Sequence, residues 1–198
     1  MTDNPGFEAR KLARAARVAS LATTADGAQP FASLVTHACA PDFSIFLLLS
    51  DLSEHTRHLR AEPRCALLVT AAAEGPNPQT TPRVTITGLA DQSDDPAMKR
   101  HFLAIHPYAA LYADFGDFHL WRIRPIGALL VGGFARAMRV KQADLLPAIA
   151  AFMDPREGVA AIDGDGMDRV SGETVQRVHW AEPITDAAGL AAAYAKHA

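Results

Sequence analysis

Ile45-Phe46-Leu47-Leu48-Leu49-Ser50-Asp51-Leu52-Ser53-Glu54-His55-Thr56-Arg57-His58-Leu59 is the stretch on which the fold turns. Its first five residues are purely apolar and stop at Ser50, the length and limit of a short strand. The residues after Ser50 are rich in hydroxyls and cations, with Leu52 and Leu59 a heptad apart, and read as the opening of a helix. That junction has two readings. In one it is an ordinary capped surface helix, with Ser53 as N-cap and His55, Arg57 and His58 in water. In the other, hydroxyls, the backbone N–H groups of the helix start and the charges of Arg57 and His55 converge on a phosphate, and Leu52 and Leu59 form the packing side.

On the N-terminal side of this stretch, residues 5 to 16 place Phe7, Leu12 and Ala16 among charges as an amphipathic helix. Val18 to Thr23 and Pro30 to His37 flank Asp26-Gly27, a hairpin signal. A third strand runs from about Ser44 to Leu49, the helix from about Ser53 to Ala61, and Cys65 to Thr70 resumes strand character after Pro63. Arg83 to Gly88 alternates in polarity, and Pro96 starts a helix that ends at Ile105 before Pro107. Phe118 to Ile123 and Ala128 to Phe134 read as two strands around Pro125-Ile126-Gly127. Six or seven strands at intervals too short for βαβ units predict a mainly β fold, an antiparallel barrel with flanking helices. After about residue 137 the pattern changes. A helix is expected over 142 to 153, loop around Gly158, Gly164 and Gly166, a strand pair about Ser171-Gly172, and a last helix capped by Thr185. The division expected is 1–137 for the barrel and 138–198 for a short α+β appendage too small for a good core of its own, docked on the barrel.

The 198 residues are 49% hydrophobic and 21% charged, which fits one globular domain with an appendage. No apolar run approaches the roughly 20 residues of a membrane helix, and the N-terminal segment carries Glu8, Arg10, Lys11, Arg14 and Arg17 in place of a secretory core. A cytoplasmic protein with no membrane partner is the expectation. A net charge of −3 gives no general attraction to nucleic acid, so none is expected as partner. Cys39 and Cys65 lack metal or redox spacing and are expected as buried free thiols, and no metal site is expected.

The ordered set Val18-Ala19-Ser20-Leu21-Ala22-Thr23, Pro30-Phe31-Ala32-Ser33, Leu48 to Leu59, Pro63-Arg64, Pro82-Arg83-Val84-Thr85, Trp121-Arg122-Ile123 and Val131-Gly132-Gly133-Phe134 resembles the FMN-binding split-barrel superfamily. Within it the likeness is to pyridoxamine-phosphate oxidase-related proteins of the HugZ haem-utilisation type, over about residues 8 to 137. The resemblance implies a homodimer of six-stranded antiparallel split barrels, with FMN in clefts between protomers and a small-molecule substrate that receives hydride or electrons. Carried over by position, it puts Ser33 against the flavin and Ser50, Ser53, His55, Thr56 and Arg57 on the phosphate side. It puts Arg83 where oxidases place a flavin-contacting glutamine, and Gly132 and Gly133 where the late strand approaches the ring.

The chain also departs from the pattern. Glu54-His55 stands where the oxidase branch has an Arg-Lys pair, and the arginine and histidine that hold pyridoxal phosphate have no match. Pyridoxamine-phosphate oxidation is therefore not the expected activity, and Glu54 puts a negative charge beside the phosphate side. Ala161 to Asp168 and Glu182 to Ala188 resemble the later half of the HugZ-type second domain, without its histidine-bearing helix, leaving His179 and His197 in the tail. The expected function is an FMN-dependent oxidoreductase. The alternatives are a haem-binding or haem-degrading protein, with haem as ligand, and a non-catalytic split-barrel module. No acid, base or nucleophile constellation marks catalytic residues; in a flavoprotein the cofactor carries the electron transfer.

Overall fold

A computed structural model of the chain describes residues 4–73, 75–132, 136–153 and 157–196. The elements run α1 (Pro5–Ala15), β1 (Val18–Ala25), β2 (Gln29–Thr36), β3 (Ala38–Cys39), β4 (Ile45–Ser50), α2 (Glu54–Ala61), β5 (Arg64–Thr70), β6 (Arg83–Ser93), α3 (Pro96–Ile105), β7 (Phe118–Val131), β8 (Ala137–Lys141), α4 (Gln142–Leu145), β9 (Phe152–Met153), β10 (Val159–Asp163), β11 (Gly166–Ser171), β12 (Thr174–His179) and α5 (Ala187–Lys196). Two antiparallel sheets result. The first has the order β2-β1-β5-β6-β7-β4-β3, with β8 also on β7; the second has the order β12-β11-β10-β9. Strand β2 at one end of the first sheet comes back into contact with β4, the strand next to the other end, so the sheet curls into a half-barrel. The mainly β expectation holds. Among the described residues, no helix is long and apolar enough to cross a membrane.

Strand β4 shows why its sequence is unbroken in hydrophobicity. Ile45, Leu47 and Leu49 point into the barrel core with Leu21, Leu67, Ile86 and Ile123, while Phe46 and Leu48 pack on the other face with Phe102 and Ile105 of α3. A strand covered on both faces has no polar positions to alternate with. Strand β7 forks the sheet: β6 fills one edge along its whole length, while β4 pairs with residues 118–123 and β8 with 127–131 on the other. The expected break at Pro125-Ile126-Gly127 is instead a bulge inside one 14-residue strand. Proline lacks the ladder donor, and it sits in the gap between β4 and β8, where no donor is needed. Its carbonyl accepts from Gln142 Nε2 at 2.9 Å. Opposite the bulge, a Cβ on Gly88 would lie 2.6 Å from Ile123 Cγ2 and 2.7 Å from the Arg124 carbonyl oxygen.

Beyond β7 the structure departs from the sequence reading. Strand β8 belongs to the first sheet and Leu145 of α4 to its core, so the barrel side of the chain extends past residue 137. The expected helix over 142–153 is the four-residue α4 only, ended by Leu146-Pro147. Strand β10, expected as loop, is buried at all five positions. The cap of α5 is Asp186, which accepts from the Gly189 N–H at 2.7 Å, not Thr185. The second sheet does have a small core, Val159, Ile162, Met167 and Leu190.

That sheet docks on α1 through buried charge. Arg10 Nε and Nη2 reach Asp165 at 2.9 Å, and Arg14 Nε reaches the same carboxylate at 2.8 Å. Arg14 also pairs with Asp163 at 3.1 Å, Arg17 with Asp168 at 2.8 Å, and Arg177 bridges Asp163 and Asp168 at 2.5 and 2.8 Å. Burial alone would raise the Asp163 carboxyl, but the charges of Arg14 and Arg177 outweigh it and hold the group well below the usual range. Cys39 is buried and Cys65 half-buried, both free, with thiols pushed up to about 12 by burial.

Candidate functional site

Helix α2 starts where the sequence places it, with Ser53 at the N-cap position but making no side-chain cap bond. The turn before it is held by Ser50, whose Oγ donates to Asp117 Oδ2 at 2.5 Å and accepts the Leu52 N–H at 3.1 Å. Both arginines of this region already have carboxylate partners: Arg57 pairs with Glu54 and also donates to the Leu52 carbonyl at 3.2 Å, and Arg60 pairs with Asp51 at 2.5 Å. Thr56 is fully buried, 0% exposed, and its Oγ1 has no partner among the described residues. Leu59 is buried as expected, but Leu52 is 77% exposed, because it lies in the turn ahead of the helix where heptad spacing sets no face.

The packed face of α2 lies on the interior side of β1 and β2. Thr23, Phe31 and Ser33 share that side, since Thr23 pairs with Phe31 and Leu21 with Ser33. Ser33 Oγ meets His55 Nδ1 at 3.0 Å, Thr23 Oγ1 meets His58 Nδ1 at 3.0 Å, and the Phe31 ring stands edge-on to His58 at 5.1 Å. Burial lowers the His55 pKa, helped by the neighbouring His58, which keeps the imidazole neutral at neutral pH. Beside His55 is a slot of about 230 Å³ at the seam where β2 meets β4, lined by Leu34, Val35, Thr36, Leu48, Leu49 and Ser50. Ser33, Ser50, Ser53 and His55 are thus brought to one place.

Arg83 and Gly132 are not at that place. Phe118 of β7 pairs with Ser50, whereas Val131 pairs with Arg83, thirteen residues later along the strand, roughly 40 Å of contour. No single phosphate touches both ends within one protomer. The Arg83 guanidinium donates to the Gln79 and Thr81 carbonyls, each at 3.1 Å, and the Gly132 N–H donates to the Arg136 carbonyl at 2.9 Å. Gly133, expected beside the flavin ring, lies outside the described residues, as does His197.

The sequence reading missed the outer face of the first sheet. Cross-strand partners there form the row Leu34, Ser20, Leu68, Thr85, Leu129 and Arg139, and the adjacent row is Ala32, Ala22, Ala66, Thr87, Gly127 and Lys141. Leu34 is 73% exposed, Leu68 38% and Leu129 39%, a broad bare surface of apolar and small residues. The signal was present in β2, where Phe31 and Val35 occupy one face and Ala32 and Leu34 the other. A strand meant for water on one side would not be apolar on both.

The chain is 40% identical over 111 residues to the chloroplastic heme oxygenase HOZ of Arabidopsis thaliana; the match takes in 54% of this chain and spans only 33% of that relative's length. Two solved structures share the fold over nearly the whole of both chains. A protein of unknown function from Agrobacterium tumefaciens superposes with a TM-score of 0.78 at 23% identity, covering 98% of this chain and 95% of the other. A heme binding protein from Mycobacterium smegmatis superposes with a TM-score of 0.70 at 24% identity, covering 99% and 96%. The family model described as pyridoxamine 5'-phosphate oxidase matches residues 7–132, from α1 through the end of β7, and the chain belongs to that family.

Proposed function

We propose that this chain is a haem-binding split-barrel protein that works as a homodimer, with haem in the slot between β2, β4 and α2 and haem degradation as its activity. The observation that carries the reading is the charge balance of the slot. Arg57 and Arg60 are each neutralised by a carboxylate, the adjacent imidazole is neutral, and the walls are Leu34, Val35, Leu48 and Leu49. A phosphate dianion would find hydroxyls there but no uncompensated cation among the described residues, whereas an apolar macrocycle is served by apolar walls. The relative that is a heme oxygenase supports the same choice. Bound haem supplies an iron centre for oxygen chemistry, and in haem degradation the macrocycle is itself the substrate.

The slot holds only one edge of such a ligand, and the bare Leu34–Leu68–Leu129 row continues away from it. A second copy laid on this face would bury the row and close the slot, which supports the homodimer. A second reading keeps FMN in the same slot as an oxidoreductase. It is favoured by the family match and by the Ser53 hydroxyl at the start of α2, free of any cap bond.

Titrating the purified chain with haemin and, separately, with FMN decides between them. The expected result is a saturable Soret change near one haem per protomer, with FMN not retained on gel filtration. Retention of FMN together with an unchanged haemin spectrum would replace the haem reading by the flavin one.

A further inference from the structure

We infer that His55 is the side chain that ligates the iron when haem occupies this slot, with Ser33 fixing which ring nitrogen is presented; the inference rests on the haem reading above. An iron ligand must be a neutral imidazole with one nitrogen held by a hydrogen bond and the other bare. His55 has the geometry for this. It is the second residue of α2, anchored by the helix above β2, and its Nδ1 lies 3.0 Å from Ser33 Oγ. The contact suits either tautomer; in the one where the Ser33 hydroxyl accepts the Nδ1 hydrogen, the Nε2 lone pair is free, and that is the form an iron ligand presents. That nitrogen has no partner among the described residues, and the ring lines the apolar slot.

The other imidazoles are differently engaged. His58 is held by Thr23 at Nδ1 and lies 3.8 Å from Glu54 at Nε2, and His119 pairs with Asp51 at 3.3 Å. His37, His101 and His106 are buried, each with Nε2 on a backbone carbonyl at 2.8 to 3.1 Å. His179 lies on β12 in the second sheet, near Arg177 and Lys11. The histidine-bearing helix of the HugZ-type second domain has no match in this chain, and the ligand proposed here comes from the barrel itself. Leu34 on β2 and Leu48 on β4 offer apolar contact beside the ligand position.

The experiment is a haemin titration of the full chain, then absorption and electron paramagnetic resonance spectra of the ferric protein, for wild type, His55→Ala, His55→Met and Ser33→Ala. His55→Ala is expected to shift the Soret maximum and the resonance signature, with added imidazole restoring both. His55→Met keeps a side chain of similar bulk and is expected to give a distinct, sulfur-ligated spectrum. Ser33→Ala is expected to keep the histidine-ligated spectrum while weakening binding about tenfold, the usual cost of losing a partner that orients a ligand. If His55→Ala folds, binds haemin and gives the wild-type spectrum, His55 is not the ligand and the haem reading stands. If the wild type shows no Soret change, both are overturned.

Discussion

Removing the Asp165 carboxylate is the perturbation whose size is set most directly by the structure. This group is 1% exposed and accepts from Arg10 Nε and Nη2 and from Arg14 Nε. In Asp165→Ala, Arg14 keeps Asp163 and the carbonyls of Cys39 and Pro41, but Arg10 keeps only the carbonyls of Leu145 and Leu146. One buried guanidinium is thereby left without a counter-charge, a change that costs about 3–5 kcal/mol when a single partner of a buried pair is removed. At roughly 2–4 °C per kcal/mol for a chain of this size, calorimetry at pH 7.5 is expected to show a melting temperature lower by about 6–20 °C. Replacing both partners by apolar residues, Arg10→Met with Asp165→Leu, is expected to recover most of the loss, because the penalty lies in the unpaired charge. A single variant that melts within about 2 °C of wild type would show that water reaches Arg10 and that the pairs do not fix α1 to the second sheet.

Gly88→Ala is expected to cost about 2 kcal/mol or more in urea unfolding, since the added methyl meets the Arg124 carbonyl across the bulge and backbone cannot yield cheaply; an unchanged midpoint would mean that the bulge shifts freely. Burial pushes the His37 pKa down to about 4, against about 6.5 in the unfolded chain, so the unfolded state binds the proton first as pH falls. Stability from this group is complete above pH 6.5 and falls by about 2 kcal/mol by pH 5 and about 3 kcal/mol below pH 4; a melting temperature flat between pH 7.5 and 5 contradicts it, and His37→Gln should remove this share of the slope. Leu68→Glu, on the bare outer row and outside the slot, is expected to convert a dimer to a monomer in light scattering, and a wild type that is already monomeric refutes the dimer. Thr56→Val removes a buried hydroxyl with no partner and is expected to stabilise the chain by about 1 kcal/mol with ligand affinity unchanged; loss of ligand binding would mean that the hydroxyl reaches the ligand.

The half-barrel was legible because its strands carry local signals: the Asp26-Gly27 turn, the alternation in β6, and the stop at Ser50 that opens α2 under Ser53. The second sheet was not, and β10 shows why. Its residues serve three surfaces at once: Val159 and Ile162 the small core, Ala160 the packing under α3, and Asp163 the arginines. A strand with every position buried shows no period of two, and its flanking glycines then read as loop. The same limit hid the ionic cluster, because Arg10, Arg14 and Arg17 look like the polar stripe of an amphipathic helix until the second sheet, some 150 residues on, supplies their carboxylates. At the site, sequence placed His55 among the phosphate-side residues by its charge at the helix start and by the family resemblance. The role proposed for it rests on a neighbour on β2, Ser33, and on a slot made by the curling of the sheet, two relations that exist only once β2 and β4 have met. Helix periodicity placed both Leu59 and Leu52 on the packing side; it held for Leu59 and failed for Leu52, which lies in the turn held by Ser50 and Asp117 ahead of the helix. Local pattern thus decides which elements form, while the chemistry of this slot is decided by which edges the fork in β7 leaves open.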